Sequence, residues 1–320
     1  MTTGETGLAS ISPAPAEMGA PVIAVRGAAR HYGAVRAVDG VDFAVMPGEV
    51  FGLIGHNGAG KSTLFKMMLG LIPATSGEIE IDGAAVTGRD FRAVRRKIGY
   101  LPENVVLYDN LTGIETLEFF AKLKGVATEN CAPILDRVGL SGAARRRVRE
   151  YSKGMRQRLG FAQALLGNPR ILFLDEPTTG LDPEAIREFY VILRGLKADG
   201  VTMILTSHIL AEIQERVDRL AIMAGGKIQA TGTVQALREQ MDLPLWFRVR
   251  LAHEDFEKVR AVLGGLPVLA IEARDDHVAV ECRRDSKMVV MNALTSLGGK
   301  VLDLHVHEPS LEDVFFGFSD

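Results

Sequence analysis

The sequence predicts an α/β domain built on a mainly parallel β-sheet, followed by a smaller α+β domain. From Pro21 onward, short apolar runs alternate with segments of helical periodicity, and glycines lie at the changes between them. After Ala236 the composition shifts, and the segments follow the order β-α-β-β-α-β. We therefore expect a flexible tail over residues 1–20, an α/β domain over residues 21–236 and an accessory domain over residues 237–320.

The elements of the α/β domain are predicted from apolar runs and from periodicity. Short runs rich in branched apolar residues predict strands at Val22–Val25, Val41–Val45, Val50–Ile54, Ile79–Ile81, Ile98–Leu101, Ile171–Leu174 and Val201–Leu205. Segments with helical spacing predict helices at Lys61–Leu69, Leu111–Leu123, Pro183–Leu196 and Leu210–Val217. Strands separated by helices in this way are typical of a parallel sheet with helical crossovers.

The accessory domain has shorter elements. Strands are predicted at Trp246–Leu251, Val268–Ile271, Val278–Cys282 and Val301–Val306, and helices at Glu254–Leu263 and Ser286–Leu297. Their order is that of a ferredoxin-like module. A final segment, Pro309–Val314, has the pattern of a capped helix start.

Composition excludes some classes of partner. Net charge is −3, so no global basic field favours nucleic acid or acidic lipid, and we expect no nucleic-acid partner. The two cysteines, Cys131 and Cys282, form no CxxC pair and fit a reducing compartment. No apolar stretch approaches the roughly 18–20 residues that cross a bilayer. Any role in a membrane therefore requires a partner.

A glycine-rich loop follows the apolar run that ends at Ile54. Residues 55–62 read Gly-His-Asn-Gly-Ala-Gly-Lys-Ser and match G-x-x-x-x-G-K-[ST] at the required change from strand to helix. Glycines let N–H groups close around phosphate oxygens, the lysine reaches the β- and γ-phosphates, and the serine hydroxyl ligates Mg²⁺. A dinucleotide-binding loop fits less well, because the glycines do not follow G-x-G-x-x-G. The candidate ATP-binding residues here are Asn57, Gly58, Gly60, Lys61, Ser62 and Thr63.

Two acids follow the apolar run Ile171–Leu174. In open α/β sheets the carboxyl ends of the strands face the ligand crevice. With a phosphate loop upstream, Asp175 is the candidate Mg²⁺ ligand, directly or through water. Glu176 is the candidate catalytic residue that positions or deprotonates the attacking water.

Further motifs resemble those of the ABC superfamily of ATPases. Residues 151–158, Tyr-Ser-Lys-Gly-Met-Arg-Gln-Arg, resemble the ABC signature L-S-G-G-Q and its basic continuation. Residues 181–182 resemble the D-loop, and residues 207–208 resemble the switch-histidine motif. Tyr32 resembles the aromatic residue that stacks on adenine. These motifs occur in family order over about residues 21–236.

The resemblance implies a mechanism and a dimer. Two P-loop cassettes, each with a helical subdomain, would pair head to tail and enclose two ATP molecules. Ser152 and Gly154 of one copy would contact the γ-phosphate held by Lys61 of the other, and Asp182 of the D-loop would belong to the same site. His208 would hold the γ-phosphate and help to orient the water. Hydrolysis would open the dimer and move a membrane partner.

The chain departs from the family pattern at four positions. Tyr151, Lys153 and Met155 replace the leucine, a glycine and the glutamine of the signature. Glu103, in Tyr-Leu-Pro-Glu-Asn, occupies the usual glutamine position of the Q-loop. A carboxylate can approach Mg²⁺, so Glu103 is a third candidate metal ligand. Its charge changes the coupling between nucleotide and membrane partner.

A narrower resemblance is to the NosF-type ATPases of NosDFY complexes, which serve maturation of the copper enzyme nitrous oxide reductase. Residues 55–61, 99–105, 151–160 and 307–313 carry it. It implies a NosY-like permease, a NosD-like periplasmic partner reached through the permease, and a peripheral position on the cytoplasmic face of the inner membrane. The alternative is the ATPase of a drug, haem or lipid exporter of the same branch.

Two further interpretations are weaker. A soluble mechanical ABC ATPase would carry either a long coiled coil or two cassettes, and the sequence has neither sustained heptads nor a second phosphate loop. Direct copper binding would use His305 and His307, which alternation on a strand places on one face. Two imidazoles make an incomplete copper site.

Overall fold

A computed structural model describes residues 19–240 and 244–307. The chain divides into two compact units, Met1–Thr233 and Val234–Asp320. The predicted N-terminal tail, apart from its last two residues, lies outside the described residues, as does the helix start predicted at Pro309–Val314. No helix in the described ranges combines the length and apolar character that crossing a bilayer requires.

The first unit holds strands and helices that alternate along much of the chain. The strands are β1 (Ile23–Tyr32), β2 (Val35–Val45), β3 (Val50–Ile54), β4 (Ser76–Ile81), β5 (Ala84–Ala85), β6 (Ile98–Leu101), β7 (Ile171–Leu174), β8 (Thr202–Ser207), β9 (Arg219–Ala224) and β10 (Lys227–Gly232). The helices are α1 (Lys61–Met68), α2 (Phe91–Arg95), α3 (Gly113–Lys124), α4 (Cys131–Arg137), α5 (Lys153–Leu165), α6 (Pro183–Ala198) and α7 (Leu210–Ile213). Of these, β3, β6 and β7 have the predicted ends.

The central sheet has the strand order β10-β9-β3-β8-β7-β6. Its strands run parallel except β10, which pairs antiparallel with β9. A second sheet, in the order β2-β1-β4-β5, is antiparallel. The parallel sheet confirms the predicted α/β class. Because the strands are parallel, the carboxyl ends of β3, β7 and β8 meet at one edge, where ligands bind in such sheets.

The central strands are buried along their whole length. Every residue of β3, β7 and β8 is buried, which is why these strands read as continuous apolar runs in the sequence. Phe65 of α1 packs edge-to-face on Phe173 of β7, with ring centroids 5.4 Å apart. This contact joins the helix after the glycine-rich loop to the strand before the two acids.

Helix α3 begins with a capping box. The Thr112 hydroxyl accepts from the Glu115 N–H at 3.3 Å, and Oε2 of Glu115 accepts from the Thr112 N–H at 2.8 Å. Both N–H groups lack partners inside the helix, so this exchange stabilises its first turn. Helices α3, α4 and α5 pack on one another, which provides the helical subdomain that the ABC resemblance implies.

The second unit has the predicted β-α-β-β-α-β order. After α8 (Val234–Gln240) come β11 (Leu245–Leu251), α9 (Phe256–Leu263), β12 (Val268–Ala273), β13 (Val278–Cys282), α10 (Lys287–Thr295) and β14 (Val301–His307). The sheet is antiparallel in the order β12-β13-β11-β14, as in a ferredoxin-like module. Along β11, Leu245, Phe247 and Val249 alternate into the core of this unit, because successive strand residues face opposite sides.

The two histidines near the end of the second unit share one face of β14. His305 and His307 are both exposed and pair in register with Arg248 and Trp246 of β11. In the part of the chain that the structure describes, no group of three or more His, Cys, Asp or Glu side chains is arranged to hold a metal ion. The pair therefore has no third protein ligand among those residues.

The helix predicted over Leu210–Val217 is wrong in its second half. Helix α7 ends at Ile213, and the chain then turns to join the sheet. The Asp218 N–H donates to the Val50 carbonyl at 2.8 Å, and Oδ2 of Asp218 accepts from the Val50 N–H at 2.8 Å. These two bonds hold the chain beside β3 just before β9 begins.

Candidate active site

The glycine-rich loop joins β3 to α1 at the carboxyl edge of the central sheet. Gly60 is the N-cap of α1 with φ 107°, and Gly58 has φ 86°, values that favour glycine. A Cβ on Gly60 would lie 2.2 Å from the Ala37 carbonyl oxygen. Packing on the neighbouring strand therefore fixes the loop, with backbone N–H groups gathered at a helix start, a geometry suited to phosphate.

The Lys61 side chain is buried within this loop. Its Nζ donates to the Gly55 carbonyl at 2.5 Å and to the His56 carbonyl at 3.4 Å. The same Nζ lies 3.4 Å from Oε1 of Glu176. A buried ammonium needs such partners, and their positions place its charge between the loop and the second acid.

The other predicted ATP-binding residues of the loop lie on both sides of Lys61 in the sequence. Ser62 and Thr63 lie in the first turn of α1 and are half-buried. Asn57 and Gly58 form the exposed part of the loop. Nδ1 of His56 lies 2.7 Å from the Asn57 carbonyl oxygen. The predicted ATP-binding residues of this motif therefore lie on one continuous turn of chain.

Asp175 follows β7 and is buried beside a hydroxyl that the sequence motifs do not identify. Thr206 of β8 donates to Oδ1 of Asp175 at 2.7 Å. Burial raises the pKa of the Asp175 carboxyl; the hydrogen bond from Thr206 opposes this shift, and the negative charges of Glu103 and Glu176 add to it. A nearby cation therefore favours the ionised form of Asp175.

Glu176 connects the lysine of the loop to the switch histidine. Its Oε2 lies 2.7 Å from Nδ1 of His208, whereas its Oε1 is buried and accepts no hydrogen bond in the described structure. The 3.4 Å separation from Lys61 is an ion pair without hydrogen-bond geometry. Glu176 also has φ 47°, which is uncommon for a residue with a side chain. In this conformation the carboxylate lies beside both the lysine and the histidine.

Glu103 lies where β6 leaves the sheet and is exposed. Burial raises the pKa of the neighbouring Tyr100 hydroxyl to about 12, and the charges of Asp175 and Glu103 contribute to the shift. Both carboxylates therefore act on the same tyrosine. The structure places Glu103 at the edge that also holds Asp175, and its role toward a metal stays a prediction.

The oxygen donors at this edge suit Mg²⁺. The carboxylates of Asp175 and Glu103 and the hydroxyl of Ser62 are hard ligands of the kind that Mg²⁺ prefers. Mg²⁺ is usually held by one or two carboxylates together with substrate phosphates, and not by a complete protein cage. The described residues offer no such cage. These side chains therefore fit Mg²⁺ that arrives with a nucleotide.

The signature residues lie at the start of α5. Ser152 is the N-cap, and its Oγ accepts from the Met155 N–H at 3.2 Å. The Lys153 side chain lies beside Gly180, the residue immediately before the D-loop. A Cβ added to Gly180 would be 2.0 Å from the Lys153 Nζ. A Cβ on Gly154 would have ordinary contact with Leu181 at 3.5 Å. The signature and the D-loop therefore pack on each other within one chain.

Two connections around the signature are not apparent from the sequence. The buried Gln157 donates from Nε2 to the Pro177 carbonyl at 3.0 Å, which joins α5 to the segment after Glu176. The Tyr151 hydroxyl donates to the Ala143 carbonyl at 2.7 Å, so the tyrosine in place of leucine gains a polar anchor. Each of these hydrogen bonds joins two residues that no local sequence pattern would pair.

The other predicted residues contact neighbours other than the acids. Asp182 caps α6, since its Oδ1 accepts from the Ala185 N–H at 2.8 Å. Tyr32 ends β1 half-exposed, and the Arg30 guanidinium lies 4.5 Å from its ring centroid. None of the hydrogen bonds or ion pairs between described residues joins Ser152 or Asp182 to the acids or to the loop.

The chain is similar to ATP-binding proteins of ABC transporters. The family model described as ABC transporter matches residues 38–179. The chain is 34% identical to the daunorubicin resistance ATP-binding protein DrrA3 of Streptomyces coeruleorubidus, over 92% of this chain and 94% of that protein. It is 32% identical to the linearmycin resistance ATP-binding protein LnrL of Bacillus subtilis (strain 168), over 91% of this chain and 96% of that protein.

Solved structures show the same fold. The ATP-binding subunit of an ABC transporter superposes with a TM-score of 0.63 at 33% identity, over 69% of this chain and 93% of that one. A dimeric bacterial ABC transporter cassette superposes with a TM-score of 0.61 at 25% identity, over 66% of this chain and 98% of that one. The α/β architecture described above is that of these cassettes.

Proposed function

The chain belongs to the ABC transporter family as an ATP-binding cassette ATPase, and from this premise we propose that it hydrolyses Mg²⁺–ATP to drive a membrane permease that exports a hydrophobic small molecule. The resistance relatives support the export of drug-like molecules. The chain would act peripherally, at the cytoplasmic face of the inner membrane.

The proposed chemistry follows from the buried side chains. The loop N–H groups and Lys61 would bind the β- and γ-phosphates, and a bound Mg²⁺ would neutralise part of their charge. Ser62, Asp175 and Glu103 would hold that ion. Oε1 of Glu176, which has no hydrogen bond among the described residues, would accept from the attacking water. His208 would keep the Glu176 carboxylate in position and contact the γ-phosphate.

One observation carries the proposal. Lys61, Glu176 and His208 form a continuous chain, with Lys61 Nζ 3.4 Å from Oε1 of Glu176 and His208 Nδ1 2.7 Å from Oε2. A carboxylate between a phosphate-binding cation and a histidine is placed to orient water beside a phosphate.

We further propose a head-to-tail dimer. Ser152 and Gly154 lie on the accessible start of α5, and among the described residues neither forms a hydrogen bond or an ion pair with this chain's phosphate loop. A second copy would bring them to the nucleotide, with Asp182 at the same interface and Tyr32 against the adenine. One structurally similar cassette was solved as a dimer, which supports this arrangement.

ATP hydrolysis by purified protein tests the core of the proposal. The Glu176→Gln variant should lose turnover by on the order of 10²-fold or more, since it removes the residue that orients the water, and it should accumulate as an ATP-bound dimer. Glu184→Gln, on the exposed first turn of α6, is the matched control. Normal turnover by Glu176→Gln would assign the catalytic role to another group.

The permease and the cargo are tested in the native membrane. Glu176→Gln is purified from detergent-solubilised membranes with ATP and Mg²⁺, and its partners are identified by mass spectrometry. Recovery of a polytopic permease, together with increased drug sensitivity of a strain lacking this chain, supports export. Recovery of ribosomes or DNA factors with no membrane protein overturns the transport role.

A NosF-type role is the second candidate. It is favoured by the motif segments at residues 55–61, 99–105 and 151–160, and it would require a NosY-like permease and a NosD-like periplasmic partner. The same purification distinguishes it, because a periplasmic accessory protein of nitrous oxide reductase would be recovered. Loss of copper from that enzyme in the deletion strain, with unchanged drug sensitivity, would replace the export proposal.

A further inference from the structure

Thr206 lies between the two acids and contacts both. Its side chain is fully buried. Oγ1 donates to Oδ1 of Asp175 at 2.7 Å and accepts from the Glu176 N–H at 2.8 Å. A hydroxyl has one proton to donate. Thr206 donates this proton to the Asp175 carboxylate, and one of its lone pairs accepts from the Glu176 N–H.

Strand register puts Thr206 at this point. β8 is paired in parallel with β7, where Leu205 faces Leu174, and with β3, where Thr206 faces Leu53. Thr206 therefore lies between the strand that leads to the phosphate loop and the strand that leads to the acids. Among the strands that the structure describes, no other strand of the central sheet pairs with both of those strands.

The second bond bears on the strained residue of the site. Glu176 has φ 47°, a conformation that a residue with a side chain holds only when its surroundings determine it. The bond from its N–H to the buried Thr206 hydroxyl is one such determinant. Without it, a buried N–H would lose its partner, and the backbone that directs the carboxylate toward His208 would be free to relax.

We propose that Thr206 is a positioning residue for ATP hydrolysis, which sets the carboxylate of Asp175 and the backbone of Glu176 through one hydroxyl. The inference rests on the proposed function. Thr206 does not itself touch the nucleotide; it acts through the metal ligand and through the residue that orients water. Partners of this kind change metal affinity or activity by about 10- to 100-fold when removed.

A matched pair of variants separates positioning from packing. Thr206→Val keeps the shape of the side chain and removes both hydrogen bonds, whereas Thr206→Ser keeps the hydroxyl. Thr202 is a buried threonine at the other end of the same strand, where its hydroxyl accepts from the Gly48 N–H at 2.9 Å. Thr202→Val therefore removes a buried hydroxyl from β8 far along the strand from the acids.

The experiment measures steady-state ATPase activity across a Mg²⁺ titration, together with binding of a fluorescent ATP analogue in EDTA. Thr206→Val should lower kcat by about 10- to 100-fold and raise the Mg²⁺ concentration for half-activity. It should leave metal-free nucleotide binding unchanged, because Lys61 and the loop are intact. Thr206→Ser and Thr202→Val should keep kcat and the Mg²⁺ midpoint near the wild-type values. If Thr206→Val does not fold, Thr206→Ala is measured in its place.

The outcomes distinguish this inference from the proposed function. An inactive wild type would overturn both. An active wild type with an equally active Thr206→Val would overturn the positioning role alone, as would an equal loss of kcat in Thr202→Val. A loss of metal-free nucleotide binding in Thr206→Val would show a packing effect on the whole site and would also overturn it.

Discussion

Nδ1 of His208 lies 2.7 Å from Oε2 of Glu176, although the two residues stand at the ends of different strands. Glu176 is almost fully buried, whereas the His208 side chain is 41% exposed. The histidine therefore reaches from the accessible side of the site to a carboxylate inside it. We therefore expect a ligand that contacts His208 to alter the position of the Glu176 carboxylate.

Replacing His208 tests this contact. His208→Ala should lower kcat on the order of 10²-fold, the size of effect that misplacement of a reacting group can produce, with little change in ATP affinity. Turnover and binding of a fluorescent ATP analogue are measured on the same preparation. His305→Ala, which changes an exposed histidine of the second unit, is the control. Unchanged kcat in His208→Ala would contradict the assigned role.

Lys61 should determine ATP affinity. Lys61→Ala removes the buried cation of the loop, so the dissociation constant for ATP should rise by about 10- to 100-fold, since hydrogen bonds to charged groups contribute about 1.5–3 kcal/mol. Isothermal titration calorimetry measures it. Lys66→Ala, exposed on the same helix, should bind ATP as the wild type does. Near-normal affinity in Lys61→Ala would argue against phosphate binding by this loop.

The contact of Lys153 with Gly180 should couple the signature to the D-loop. Gly180→Ala meets two obstacles, a φ of +75° and the ammonium of Lys153, whereas Gly200→Ala meets only a φ of +81° with nothing within 4 Å of the new Cβ. Each left-handed alanine should cost about 1–2 kcal/mol of unfolding free energy. Only Gly180→Ala should also lower ATP turnover.

A double mutant isolates the lysine's share of that effect. If the clash between the new methyl group and the ammonium causes the loss of turnover, adding Lys153→Ala to Gly180→Ala should restore part of it, while unfolding free energies from denaturant titration should still show the backbone strain. Additive effects of Lys153→Ala and Gly180→Ala would show that the two residues act independently.

The capping box of α3 should make stability depend on pH. Hydrogen bonds from the backbone and hydroxyl of Thr112 lower the pKa of Glu115. Because the folded pKa lies below the unfolded one, this stabilisation is complete above the unfolded pKa and is lost as pH falls through the folded pKa. The Tm difference between wild type and Glu115→Ala should therefore be largest near neutral pH and shrink in acid. Glu118→Ala, within the same helix, is the control, because Glu118 takes no part in the capping box.

The glycine-rich loop and the strand that precedes the two acids could be predicted from the sequence, because the residues that specify each of them are consecutive in the chain. An apolar run followed by glycines, lysine and serine specifies a buried strand, a tight turn and a helix start within one stretch of chain. The structure has β3, β7 and the start of α1 at the predicted residues. The roles assigned to Tyr32, Glu103, Ser152 and their neighbours stay predictions, because they depend on a nucleotide and on a second copy of the chain.

Only the tertiary structure decided which contacts join these motifs. Thr206 reaches Asp175 across 31 positions of sequence, and the Lys153 ammonium lies over Gly180. Asp218 pairs with Val50 across 168 positions of sequence, which places β9 beside β3. Each of these contacts depends on which strands are neighbours and in what register, and local apolar patterns do not encode strand order. The chain itself therefore determined the chemistry of the site, while the packing of the parallel sheet decided which side chains hold it in place.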